Sequence, residues 1–281
     1  MTRVIIAEHA GACYGVERAL SMALKAAHDA RQPVHTLGPL IHNPLVVADL
    51  EQRGVSPAAT PEEAGTGTLV VRAHGVTPQV SAHARELGLD VIDATCPYVK
   101  RVHHAAEKLA REGYQVLVIG ESGHPEVQGI MGHAGEDALV VSSEAEIDGL
   151  ALAKRVGIVV QTTQTIELLR CIVARLLGRV EELRVVNTIC EATSERQNAA
   201  RDAALKADCM IVVGGRESGN TQRLAQICHE VCSKTHHIED ANEIDSAWFA
   251  DAETIGITAG ASTPAEHIER VRARIHEIVG A

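Results

Sequence analysis

Three of the seven cysteines, Cys13, Cys96 and Cys190, stand where an apolar segment gives way to a helical one, 83 and 94 residues apart. Their settings are Val4-Ile5-Ile6-Ala7 followed by Gly11-Ala12-Cys13-Tyr14, then Val91-Ile92-Asp93-Ala94-Thr95-Cys96-Pro97, then Val185-Val186-Asn187-Thr188-Ile189-Cys190-Glu191. A thiol at a helix start faces the positive end of the peptide dipoles, which favours the thiolate and makes it a better metal ligand or nucleophile. Seven cysteines without a Cys-x-x-Cys pair do not form a disulfide framework. Thiolate softness selects zinc, copper or an iron–sulfur centre. A structural zinc would normally be closed by a fourth ligand from a close pair, so two assignments suit three distant thiolates. One is a catalytic zinc with water; the other is a 4Fe-4S cluster with one iron left without a thiolate. The cluster would join Lewis acidity to electron supply, which suits reductive removal of a hydroxyl. Cys171, Cys209, Cys228 and Cys232 lie on helical or strand patterns and are expected to pack as small hydrophobes.

Polar residues recur at matching distances beyond each of the three thiols. Gly38, Gly120 and Gly214 lie 25, 24 and 24 residues on, and four residues later come His42, His124 and Ser218. A third set closes another apolar segment in each third: His74 after Leu69-Val70-Val71, Gln161-Thr162-Thr163 after Ile158-Val159-Val160, and Ser262 after Ile255-Gly256-Ile257. His42, His74 and His124 can donate to phosphate oxygens, and Ser218, Asn220 and Ser262 add neutral donors near helix starts, where anions bind without a lysine. The run Gly214-Gly215-Arg216-Glu217-Ser218-Gly219-Asn220-Thr221 has P-loop spacing with Asn220 in the lysine position. Phosphate cradling by backbone amides is thus compatible with the run, and nucleotide hydrolysis is not. No Gly-x-Gly-x-x-Gly follows a strand, so dinucleotide binding is unsupported. Glu126, two residues after His124, is the carboxylate best placed to deliver protons.

The elements that must position these residues follow from the patterning. Apolar strands alternate with helical segments over Val16–Ala30, Val99–Glu112, Gln197–Ala207 and Pro264–Val279, which predicts βαβ units and parallel sheets. Ligands of such sheets bind beyond the carboxyl ends of the strands, where all the marked residues lie. The expected organisation is three α/β domains, 1–95 with Cys13, 96–189 with Cys96 and 190–281 with Cys190, related by a pseudo-threefold axis. A chain of 281 residues with 46% hydrophobic and only 2% aromatic content builds its core from Ala, Val, Leu and Ile. A net charge of −11, with its 26 Lys and Arg scattered, argues against a nucleic-acid ligand. Neither a signal-peptide pattern nor an apolar run of membrane-spanning length is seen, so a cytoplasmic location is expected.

At these residues the chain resembles the 4-hydroxy-3-methylbut-2-enyl diphosphate reductases, the last enzymes of the non-mevalonate isoprenoid pathway. The matching stretches include Gly38-Pro39-Leu40-Ile41-His42-Asn43-Pro44, Ala73-His74-Gly75-Val76, Asp93-Ala94-Thr95-Cys96-Pro97, Gly123-His124-Pro125-Glu126-Val127 with Gly129-Ile130-Met131-Gly132, Gln161-Thr162-Thr163, Asn187-Thr188-Ile189-Cys190 and Thr258-Ala259-Gly260-Ala261-Ser262. They run in family order from residue 11 to 262.

The resemblance implies a trefoil of three α/β domains around a 4Fe-4S cluster on Cys13, Cys96 and Cys190. It implies that His42, His74, His124, Ser218, Gly219, Asn220 and Ser262 hold the substrate diphosphate, that Thr162 orients the substrate hydroxyl, and that Glu126 feeds protons through Thr162. Two electrons and two protons would remove water and yield isopentenyl or dimethylallyl diphosphate. Reduced ferredoxin or flavodoxin is the implied donor, and the acidic net charge supplies no long-range steering toward an acidic ferredoxin. Three features depart from the family pattern. Ala12 and Tyr14 reverse the usual aromatic-then-small order around the first cysteine, Gly219 stands where many members carry a second serine, and no long tail is expected after the last helix. Two rival chemistries share the thiolates. A non-redox hydro-lyase would need no electron donor, and an iron–sulfur sensor would need no anion pocket, against which the six polar strand-end residues speak.

Overall fold

The computed structural model describes residues 2–29 and 32–280. Its strands form three four-stranded sheets in which every pairing is parallel. The strands are β1 (Arg3–Ile6), β2 (Val34–Leu37), β3 (Val55–Ala58), β4 (Thr68–Val71), β5 (Asp90–Asp93), β6 (Gln115–Ile119), β7 (Leu139–Val141), β8 (Arg155–Val160), β9 (Glu182–Val185), β10 (Cys209–Val213), β11 (Thr235–Ile238) and β12 (Thr254–Ala259). The helices are α1 (Tyr14–Asp29), α2 (Pro44–Gln52), α3 (Pro61–Ala64), α4 (Pro78–Glu86), α5 (Pro97–Arg111), α6 (Pro125–Met131), α7 (Ile166–Leu176), α8 (Glu191–Ala204), α9 (Gly219–Val231) and α10 (Ala265–Val279). Among the described residues no helix is long and apolar enough to cross a membrane.

The sheet orders are β3-β2-β4-β5, β7-β6-β8-β9 and β1-β12-β10-β11. They are one topology repeated, with β1 standing where β5 and β9 stand. The chain thus begins with the last strand of its third sheet, and the expected first domain, 1–95, contains a strand whose ladder partner, β12, lies in 190–281. A reading that starts each third at its thiol places this strand one unit too early, because local pattern shows that a strand precedes Cys13 but not which sheet completes it.

Burial explains the order. Of the six inner strands, β4, β8, β10 and β12 are Val- and Ile-rich and buried almost throughout, as a parallel sheet covered on both faces requires. Strands β1, β5 and β9 share one pattern, exposed at both ends and half-buried between, with Arg3, Asp90, Asp93 and Glu182 on the exposed positions. Charge of this kind blunts an open sheet edge. Each edge strand leads to one of the three thiols.

The chain divides into two compact units, Met1–Glu17 with Ile41–Ala48 and Glu191–Ala281, and Arg18–Leu40 with Asp49–Cys190. The first carries the third sheet. Its core is Ile211, Val213, Ile255, Ile257, Val271 and Ile275 on one side and Ala200, Ala204, Val212, Leu224 and Cys228 on the other. The second carries the other two sheets, and α5, which starts just after Cys96, packs Val102, Ala106 and Leu109 onto β6 and β8 of the sheet that follows it in the chain. Gly157 lets it approach, since a Cβ there would lie 2.8 Å from Leu109.

The helices begin closer to the thiols than periodicity implies. Helix α8 starts at Glu191 rather than Gln197, because its first turns bury Thr193, Arg196 and Gln197 and leave no apolar stripe to read. Of the expected first helix, Ala30 lies outside the described residues.

Candidate functional site

Among the described residues none of the three thiols is in a disulfide; all three are half-buried, and each directly precedes a helix. Their backbone amides are tied down in the same way. The N–H of Cys13 donates to Ala261 O (3.1 Å), that of Cys96 to Ala73 O (2.9 Å) and that of Cys190 to Thr162 O (3.1 Å). In every case the acceptor lies two residues past the end of the neighbouring strand. By this measure Thr163, three residues past β8, is the counterpart of His74 and Ser262, and Thr162 is one place earlier. The sequence repeat marked the loop and missed that offset.

Within the larger unit, the approaches to Cys96 and Cys190 match. Asp93 Oδ1 accepts from Thr95 N–H at 3.0 Å, and Asn187 Oδ1 accepts from Ile189 N–H at 3.1 Å, an Asx turn placed three residues before each thiol. Cys96 is the N-cap of α5 and makes no side-chain capping bond, so its sulfur is not used by the helix. Arg18 donates to the carbonyls of Ala94 and Thr95.

Glu126 and Thr162 form the most constrained polar pair of this unit. Glu126 lies in the first turn of α6, and its carboxylate accepts the Thr162 N–H at 2.6 Å and the Thr162 hydroxyl at 2.8 Å. The carboxyl is only 2% exposed, and burial pushes its pKa from 4.5 up to about 7, against the opposing pull of the two Thr162 bonds. Once protonated it can return the bond, donating to the Thr162 oxygen, so the pair can pass a proton through the hydroxyl.

His124 is the N-cap of α6. Its Nδ1 accepts the Glu126 N–H at 3.1 Å, which leaves the proton on Nε2 and makes that atom a donor. The rings of His74 and His124 meet edge to face with centroids 5.5 Å apart.

The smaller unit holds Ser218, Gly219 and Asn220 at the start of α9. Ser218 caps the helix by accepting from Thr221 N–H at 3.3 Å, which keeps its own hydrogen available. Asn220 is buried, and both its Oδ1 and Nδ2 lack a hydrogen-bond partner among the described residues. A buried amide left so is costly unless a ligand completes it. Ser262 donates to His42 O at 3.2 Å, and Asn43 Nδ2 donates to Ser262 O at 2.9 Å, which fixes the His42 turn to the loop after β12. The glycines of the P-loop-like run act by close approach: a Cβ at Gly215 would collide with His42 O, and one at Gly214 would lie 2.7 Å from Thr263 Oγ1.

Arg196, which sequence reasoning did not single out, is buried on α8 and donates to Gly11 O at 2.8 Å, bracing the loop that leads to Cys13. A lone arginine inside a polar helix gave no signal. Tyr14, one of the departures noted above, is 64% exposed. Of the four remaining cysteines, Cys209, Cys228 and Cys232 are buried packing residues, with burial raising the thiols of Cys209 and Cys228 to about 11 and about 12, whereas Cys171 does not pack as expected, because its position on α7 faces outward and is exposed.

Three parallel four-stranded sheets, each followed at its strand ends by a cysteine and by polar side chains, define an α/β protein of three repeated sheets. Residues 4–276 match the family described as LytB protein, and the chain belongs to that family. It is 47% identical to the 4-hydroxy-3-methylbut-2-enyl diphosphate reductase of Pelobacter propionicus, covering 98% of each chain, and 45% identical to that of Aquifex aeolicus, covering 99% and 97%. Two solved structures are similar. One, described as (E)-4-hydroxy-3-methyl-but-2-enyl diphosphate reductase, the terminal enzyme of the non-mevalonate pathway, has 45% identity and a TM-score of 0.72 over 99% of this chain and 100% of that one. The E-1-hydroxy-2-methyl-but-2-enyl-4-diphosphate reductase of Plasmodium falciparum has 27% identity and a TM-score of 0.93 over 98% and 88%.

Proposed function

We propose that this chain reductively removes the hydroxyl of 4-hydroxy-3-methylbut-2-enyl diphosphate, producing isopentenyl and dimethylallyl diphosphate. Two electrons and two protons enter, the carbon–oxygen bond breaks and the oxygen leaves as water. The reading rests on family membership, and the observation that carries its chemistry is the buried Glu126–Thr162 pair. A carboxyl held protonated near neutral pH, with a hydroxyl 2.8 Å away to relay its proton, suits protonation of a departing hydroxyl.

The donor set fits the group that the family implies. Cys13, Cys96 and Cys190 are half-buried and outside any disulfide among the described residues, their amides are satisfied by backbone carbonyls, and the Cys96 side chain makes no capping bond. These residues would hold a 4Fe-4S cluster. When bound, such a cluster supplies the electrons and, at its iron without a thiolate, a Lewis acid for the hydroxyl oxygen.

The chain's own residues do the rest. His42, His74, His124, Ser218, Asn220 and Ser262, with the backbone N–H of Gly219, bind the diphosphate; the His124 tautomer and the unpartnered Asn220 amide support donor roles toward an anion. Thr162 orients the substrate hydroxyl and passes it the Glu126 proton. Reduced ferredoxin or flavodoxin serves as donor, and the enzyme works in the cytoplasm. Anaerobic purification with iron and sulfide counts, then turnover of the allylic diphosphate with and without a chemical reductant, tests the whole reading. A colourless zinc protein would overturn the cluster, and turnover without reductant would favour a hydro-lyase.

A further inference from the structure

Helix α5 carries a histidine that the proposed chemistry does not use. His103 is 7% exposed, its Nε2 is buried without a hydrogen-bond partner among the described residues, and burial pushes its pKa down to about 4, so the ring is neutral. One face stacks on His133, two residues past the end of α6 and its cap, at 4.5 Å between centroids and 19° between planes. The Cε1–Nε2 edge of the ring meets two glycines. A Cβ at Gly75 would lie 2.8 Å from His103 Cε1, and one at Gly129 would lie 3.1 Å from Nε2 and 3.6 Å from His74 O. Gly75 has φ +75, the left-handed turn just after His74. Gly129 lies on α6, the helix that His124 caps and that carries Glu126. One turn on, a Cβ at Gly132 would lie 2.7 Å from Thr77 Cβ, so the Gly129-Ile130-Met131-Gly132 stretch lays a side-chain-free face against the His74–Thr77 loop.

We propose that His103 is a positioning residue for the diphosphate site: the tip of its imidazole packs against both the Gly75 turn and Gly129 of α6 and thereby sets the edge-to-face approach of His74 and His124. This rests on the proposed function, in which those two histidines bind the diphosphate. The ring acts by shape. Its Nε2 has no hydrogen-bond partner among the described residues, its Cε1–Nε2 edge packs on two backbone positions that carry no Cβ, and the His133 stack holds its plane. Glu126 is anchored separately, by both of its bonds to Thr162 on the β8 side.

The test is a double-mutant cycle on the cluster-loaded enzyme. His103→Ala should raise the KM for the allylic diphosphate and the Kd for inorganic diphosphate by about five- to tenfold, with kcat changed by less than about twofold. Gly129→Ala places a methyl against Nε2 and should weaken diphosphate binding to a similar degree; as alanine is the better helix former, this arm stands even where His103→Ala does not fold. The double variant gives that methyl room and should bind more tightly than either single variant. Unchanged diphosphate affinity in the single variants, strictly additive losses, or equal falls in kcat and kcat/KM would overturn the proposal. Wild-type enzyme that neither binds diphosphate nor turns over the allylic diphosphate would instead overturn the proposed function.

Discussion

The hydroxyl of Thr162 lies 2.8 Å from one oxygen of Glu126 while its own backbone N–H holds the other at 2.6 Å, so a single residue clamps both ends of a buried carboxyl. This clamp fixes where the proton can go. Removing the acid, by Glu126→Gln, should lower kcat by about 10²- to 10⁴-fold with little change in diphosphate affinity. Thr162→Ala should fall in the same range, and Thr162→Ser should keep most of the activity because the relay hydroxyl remains. Steady-state kinetics on the three variants provide the check.

The same carboxyl should leave a mark on stability. Between about pH 4.5 and about 7 the native state keeps a proton on Glu126 that the unfolded chain has released, so the contribution of this group falls as pH rises through that window and is level outside it. The full excursion is about 3 kcal/mol at most. Glu126→Gln, neutral throughout, should flatten this part of the profile, and melting temperatures of both proteins at about pH 5 and about pH 8 would show it. Turnover should decline as pH rises through about 7, when the acid is lost.

Asn220 separates binding from stability. Its two buried amide atoms have no partner among the described residues, so Asn220→Leu, which keeps the branched shape without the polar atoms, should leave the melting temperature unchanged or raise it while weakening diphosphate binding at least tenfold. Ser218→Ala should instead cost about 1 kcal/mol of stability through loss of the α9 cap, along with affinity. Thermal melts and diphosphate titrations on the two variants would separate the cases.

Cysteine substitutions should sort into two groups. Serine at Cys13, Cys96 or Cys190 should abolish stoichiometric iron and sulfide after anaerobic purification. Serine at exposed Cys171 should change neither, and alanine at fully buried Cys228 should lower the melting temperature with the iron content intact.

Backbone approach offers a further check. Gly215→Ala would drive a methyl into His42 O and should displace the His42 turn, weakening diphosphate binding. Gly113→Ala, at a left-handed surface turn where the nearest atom to a Cβ lies at 3.5 Å, should cost about 1 kcal/mol of stability and leave binding intact.

Much of the architecture was legible before any coordinates. Valine- and isoleucine-rich inner strands are fully buried and so spell continuous apolar runs, and Gly38, Gly120 and Gly214 do mark strand ends. Less legible was the start of α8, where Thr193, Arg196 and Gln197 form the buried face and hide the helical period. Neither Arg196 nor His103 stood out, because what matters in each is contact with residues distant in the chain, which leaves no periodic trace.

The sequence by itself determined the residue types of the chemistry and the repeated strand–thiol–helix order, since local periodicity and helix-start signals depend on neighbours a few residues apart. It also carried the family, through motifs spread over nearly the whole chain. Tertiary structure alone decided that β1 completes the third sheet, that Thr162 holds both carboxyl oxygens of Glu126, and that Asn220 Nδ2 and His103 Nε2 are buried without hydrogen-bond partners among the described residues. Pairing of strands 250 residues apart and desolvation of a carboxyl depend on which segments exclude water from one another, and no local pattern encodes that.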